Sequence, residues 1–122
     1  MGRFSSQYRS GYCGAKYALH GFFDCLCLEH DADNVKVTMV CPGFVKTRIS
    51  YNALTADGAP QDYMDDMQAQ GISPETCAKK MLRAIEHEKH EVYIGQREVI
   101  GIYLKRFFPR LLHRMTLKEK VK

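Results

Sequence analysis

Apolar residues recur at Ala15, Ala18, Leu19, Phe22, Phe23 and Leu26. That is the i, i+3, i+4, i+7 spacing of one helix face, and it predicts a helix from Ser10, a candidate capping hydroxyl, to about His30. Asp31-Ala-Asp-Asn34 reads as a turn. The period then changes. Val35-Lys-Val-Thr-Met-Val-Cys41 is rich in β-branched residues and stops at Pro42, which predicts a strand. From Phe44 to Gly71 no period is sustained; Asn52, Asp57-Gly58 and Pro60 interrupt it, and Met64-Asp-Asp-Met67 makes a Met-rich acidic patch. A stretch that long without an element is a functional lid or is disordered. Ser73-Pro74-Glu75 combines a capping hydroxyl, a proline at the first helical position and an acid in the first turn. The helix it opens carries Ala78, Met81, Leu82 and Ile85 as its apolar face and ends near Lys89. Glu91-Val-Tyr-Ile-Gly95 is a short strand, and Val99–Leu112 an apolar, basic helix interrupted at Pro109.

Helix, strand, long loop, helix, strand, helix is an α/β order. Two short strands joined through a helix predict parallel neighbours, yet two strands make a poor sheet alone. No internal repeat supplies partners, so the fold reads as cut from a larger sheet. Hydrophobic residues at 45% and charged residues at 26% place the 122-residue chain in the globular class. The charge is uneven. From Arg97 onward eight Lys/Arg face only Glu98 and Glu119, a net +6, which leaves the rest of the chain at −2. The residues after Met1 carry no apolar signal-peptide region, and the run Val99–Leu104 is too short to span a bilayer. Five cysteines, at 13, 25, 27, 41 and 77, include no Cys-x-x-Cys pair and read as reduced thiols. The expected location is therefore intracellular, in the cytoplasm or against a membrane such as the endoplasmic reticulum, and not secreted.

The chemistry centres on Tyr12 and Lys16, four residues apart on one helix face. A free phenol, with a pKa of about 10, is too weak a base near neutrality. An ammonium ~5 Å away at an effective dielectric of ~20 favours the phenolate by roughly 3 kcal/mol. That is about two pKa units, towards the range acid/base catalysis needs.

The surroundings sharpen this. Ser10-Gly-Tyr-Cys-Gly-Ala-Lys-Tyr-Ala-Leu, then Gly21-Phe-Phe-Asp, then Val37-Thr-Met-Val-Cys-Pro-Gly-Phe-Val-Lys-Thr47 resembles the short-chain dehydrogenase/reductase superfamily over Gly2 to about Gly95. The resemblance is greatest to the group of dehydrogenase/reductase family member 7 and the 11β-hydroxysteroid dehydrogenases. It implies the C-terminal part of a Rossmann-like, doubly wound parallel sheet lacking its N-terminal dinucleotide-binding strands. Residues 1–95 would form that part and 96–122 a basic amphipathic tail. The activity implied is NAD(P)-dependent interconversion of an alcohol and a ketone. Tyr12 would exchange the alcohol proton, and Lys16 would bind the nicotinamide ribose and lower the Tyr12 pKa. Pro42, Gly43 and Val45 would lie along the nicotinamide, Thr47 would bond its carboxamide or pyrophosphate, and residues 48–72 would cover an apolar alcohol or carbonyl substrate.

The family's glycine-rich phosphate turn has no counterpart here, since Gly11-x-x-Gly14 opens the Tyr12 helix with no strand before it. NAD and NADP are therefore equally open, and Ser5 and Ser6 stand too near Tyr12 for the family's catalytic serine. The chain alone is expected to be inactive. The alternative is a non-catalytic interaction module, or a gene fragment, pairing with a full-length relative or a second copy through helix 10–30. His87 and His90 read as a solvated helix end, and Asp62, Asp65 and Asp66 as an acidic surface loop, so no metal is expected. The tail interleaves Ile100, Tyr103, Leu104, Phe107, Phe108, Leu111 and Leu112 with Lys105, Arg106, Arg110, His113 and Arg114. That pattern suits peripheral contact with an anionic membrane, or cover for a sheet edge or dimer partner. No nucleic-acid motif accompanies the charge.

Overall fold

A computed structural model describes residues 2–49, 51–53, 58–60, 62–64 and 66–118. Asp57 and Asp65, named above in the loop and the acidic patch, lie outside the described residues. The elements are α1 (Ser10–Glu29), β1 (Met39–Pro42), α2 (Asp66–Ala69), α3 (Pro74–Glu86), β2 (Glu91–Ile94), a 3-10 turn (Arg97–Val99), α4 (Ile100–Phe107) and α5 (Pro109–Lys118). The class is α/β, and its two strands are parallel, as a portion of a Rossmann-like sheet requires.

The register pairs Met39 with Glu91 and Pro42 with Ile94. Met39 N–H donates to His90 O at 2.8 Å, and Gly43 N–H donates to Ile94 O at 2.7 Å. The predicted strand from Val35 is thus shorter, because β2 offers four residues and only Met39–Pro42 finds a ladder. Pro42, read as the strand's stop, is its last member; it needs no donor there. α3 starts as its sequence dictates: the Ser73 hydroxyl accepts from Thr76 N–H at 3.1 Å and Pro74 opens the helix. It ends at Glu86, before the expected Lys89. The tail breaks at Phe108–Pro109, and α5 continues to Lys118.

Two readings are corrected. Ser10 does not cap α1; Arg9 occupies that position and its side chain makes no capping hydrogen bond. The buried faces are also rotated from the apolar ones. In α1 the buried side chains are Cys13 and His20, with Tyr17 half-buried between them, while Ala15, Ala18 and Leu19 are exposed. Phe22, on the apolar face by its spacing, is 63% exposed and stacks edge-on against Phe23 at 5.2 Å. In α3 the buried pair is Cys77 and Ala84, while Leu82 and Ile85 face outward. Two strands are too narrow to cover a 20-residue helix, so polar anchors and small side chains decide which strip is covered. Ile94, 1% exposed, is the most deeply buried large side chain described.

Candidate functional site

Tyr12 and Lys16 lie one turn apart on α1, and the structure brings them together. Lys16 Nζ is 5.5 Å from the centre of the Tyr12 ring, within the range of a cation–π contact. Tyr12 is 53% exposed and Lys16 is exposed. The pair therefore presents a phenol and an ammonium on an open helix face.

Pro42, Gly43, Val45 and Thr47 share the segment leaving β1. Val45 is fixed by a parallel bridge to Ile72: Ile72 N–H donates to Phe44 O at 3.0 Å and Lys46 N–H to Ile72 O at 2.9 Å. The Gln68 amide adds a bond to Val45 O at 3.3 Å. Gly71 must be glycine for this approach, since a Cβ there would stand 2.4 Å from Phe44 O. Thr47 is exposed beyond the bridge. Among the described residues no hydrogen bond joins Tyr12 or Lys16 to this loop.

A nicotinamide carboxamide needs free backbone groups here, and one is engaged. Phe44 N–H donates to Glu98 Oε1 at 3.1 Å, and that carboxylate fills the space beside Gly43, where a Cβ would meet Oε1 at 2.0 Å. The Tyr12–Lys16 face fits a ribose hydroxyl in exposure and donor type. The Pro42–Phe44 turn, closed by Glu98, does not fit the carboxamide.

No spacing signals a second Tyr/Lys pair, whose members are 88 residues apart. The Lys105 ammonium donates to the Tyr17 hydroxyl and lies 4.5 Å from that ring's centre. Ser5, Ser6, Ser10 and Cys13 line an open cleft of about 500 Å³ beside it. This cleft is on the Cys13–Tyr17 side of α1, away from Tyr12.

Nor did spacing reveal the polar knot under α1. Arg3 donates from Nε and an Nη to the two Glu91 carboxylate oxygens at 2.5 and 2.7 Å. His20 Nδ1 is 3.7 Å from Glu91 Oε1, and Cys41 Sγ is 3.6 Å from the same oxygen and 3.8 Å from His20 Nε2. Burial opposes the Glu91 charge, but the Arg3 and Tyr93 hydrogen bonds outweigh it and hold its pKa below the usual carboxylate value. Burial and the nearby Arg3 charge lower that of His20. Burial, then the Glu91 charge, pushes the Cys41 thiol up to about 11; burial, then the bond to Glu91, takes the Tyr93 phenol to about 12.

The short chain dehydrogenase family model matches residues 1–57. Dehydrogenase/reductase SDR family member 7B of Bos taurus is 36% identical over 116 residues, which are 94% of this chain and 36% of the relative. The Xenopus laevis protein of the same name is 38% identical over 112 residues, 91% of this chain and 35% of the relative. Dehydrogenase/reductase SDR family protein 7-like of Anopheles gambiae is 40% identical over 95 residues, 78% and 30% respectively. The chain thus spans about a third of the length of the curated relatives it matches. No solved structure matches.

Proposed function

Because the chain belongs to the short-chain dehydrogenase/reductase family, we propose that it carries the acid/base part of an NAD(P)-dependent oxidoreductase acting on an apolar alcohol or ketone. The observation that carries this reading is the Lys16 ammonium held over the exposed Tyr12 ring. A bound nicotinamide would supply the hydride chemistry. Tyr12 would take the alcohol proton at its phenolate oxygen, or return it to the carbonyl oxygen. Lys16 would stabilise the phenolate by charge and offer ammonium protons to ribose hydroxyls. Thr47, exposed beyond the Val45–Ile72 bridge, is left as the one side chain of this segment whose hydroxyl could reach the cofactor. The 48–72 excursion would lie over the substrate and shield it from water. Its methionines suit an adaptable apolar cover.

The 122 residues hold no glycine-rich phosphate turn, so the isolated chain is expected to bind NADH or NADPH weakly and not to turn over. The test is a chimera in which the matched residues replace their counterparts in the bovine relative. Tyr12→Phe in that chimera should lower turnover of apolar alcohols by at least ~10²-fold. Nucleotide affinity, read by NADPH fluorescence, should stay nearly unchanged. Undiminished turnover sinks the assignment.

A second reading is favoured by the exposed outer face of α1, where Leu19 and Phe22 meet solvent. An interaction module would cover this face with a second copy or an intact relative. Sedimentation equilibrium separates the readings: Phe22→Asp should dissociate such an assembly without changing nucleotide affinity.

A further inference from the structure

His20, Cys41 and Glu91 come from α1, β1 and β2 and are 21 to 71 residues apart in sequence, yet one ligand atom from each lies within 4.8 Å of the others. We propose that these three side chains form a binding site for a divalent cation of the zinc class. An imidazole, a thiolate and a carboxylate are the borderline-soft donor set such ions take. Two of the three separations, 3.6 and 3.7 Å around Glu91 Oε1, already match what the ion requires. Bonds of ~2.0–2.3 Å in a tetrahedron put ligand atoms roughly 3.5 Å apart.

A second observation points the same way. His20 is only 6% exposed, and its Nδ1 is a buried polar atom with no hydrogen-bond partner. Buried nitrogens are ordinarily paired, and a cation beside Glu91 would satisfy this lone pair. Gly2 packs against the same ring, where a Cβ would come within 2.9 Å of Nε2, so the imidazole has little freedom to turn away.

Arg3 presently supplies the positive charge at Glu91. On binding, the ion would share Oε1 and leave Arg3 on Oε2, while Cys41 gives its proton to solvent and becomes the thiolate ligand. Three protein ligands leave a fourth position for water or an exchangeable group. The guanidinium repels the ion, so Arg3 sets the affinity without being a ligand.

Cobalt(II) chloride and zinc chloride, added to the reduced 122-residue chain, test this. We expect a thiolate-to-cobalt charge-transfer absorption that saturates at one equivalent and is bleached by zinc. It should vanish in Cys41→Ser, survive in Cys25→Ser and shift to higher affinity in Arg3→Gln. Loss of a direct ligand in His20→Ala should weaken binding by more than about a hundredfold, beyond the ~10–100-fold cost of losing an outer partner. A readout on the unaltered chain guards against misfolded variants: zinc should protect Cys41 from alkylation, located by mass spectrometry, and leave Cys25 reactive. Absence of the absorption, its persistence in Cys41→Ser, or protection that falls on Cys25 and spares Cys41 would overturn the site.

Discussion

Arg3, gripping both oxygens, and the Tyr93 hydrogen bond hold the Glu91 pKa down in a half-buried setting, and burial lowers that of His20 beside it. Both pKa values lie below their ordinary ones, so the unfolded chain binds more protons than the folded one on acidification. The stabilisation is therefore full above the ordinary values and is lost as pH falls. The His20 share should begin to go below its reference value of 6.5, and the Glu91 share below 4.5. Urea midpoints measured from pH 7.5 to 4 should fall in those two stages, and His20→Phe should remove the upper one. A midpoint that rises between pH 6.5 and 5 would contradict the arrangement. Cys41 and Tyr93 act at the other end. Their raised values mean that stability is lost as alkali begins to ionise the unfolded chain, above their reference values of 9.0 and 10.0.

Two serines make a contrast at the level of elements. Ser73 caps α3 through Thr76 N–H, so Ser73→Ala should cost about 1 kcal/mol in urea unfolding. Ser10 bonds no helix end, so Ser10→Ala should change stability by less than about 0.5 kcal/mol. The same contrast explains what could be read in advance. Elements announced by local chemistry were legible: the Ser73-Pro74-Glu75 start, the Phe108–Pro109 break, and the parallel pairing implied by a helix between two strands. The Tyr12–Lys16 contact was legible for the same reason, since one helical turn fixes it. What stayed hidden depends on distant segments. The face α1 buries is chosen by Glu91, Cys41 and Gly2, so hydrophobic spacing pointed to Leu19 and Phe22 while the fold buried His20. The Glu98 carboxylate against Gly43 is another such contact, and no motif foretells it.

Across the whole molecule, charge is segregated to one end. α4 and α5 together carry Lys105, Arg106, Arg110, Arg114 and Lys118 and no carboxylate, and Phe107, Phe108, Leu111 and Met115 are exposed among them. No described helix is long and apolar enough to cross a membrane. The chain should sediment with vesicles containing phosphatidylserine and stay in solution with pure phosphatidylcholine. The double change Arg110→Glu and Arg114→Glu should release it, as should salt well above physiological strength. Indifference to lipid charge would instead assign the tail to packing against protein. The bridge from Val45 to Ile72 has a consequence of its own. It joins the two ends of the excursion, with Gly71 packed against Phe44 at one of them, so β1 and the start of α3 are tied to each other directly and not only through the span. Closing a loop twice as long costs only about 0.6 kcal/mol more. New pieces can therefore be spliced into that span, or old ones cut away, with little loss of stability and without rebuilding the scaffold.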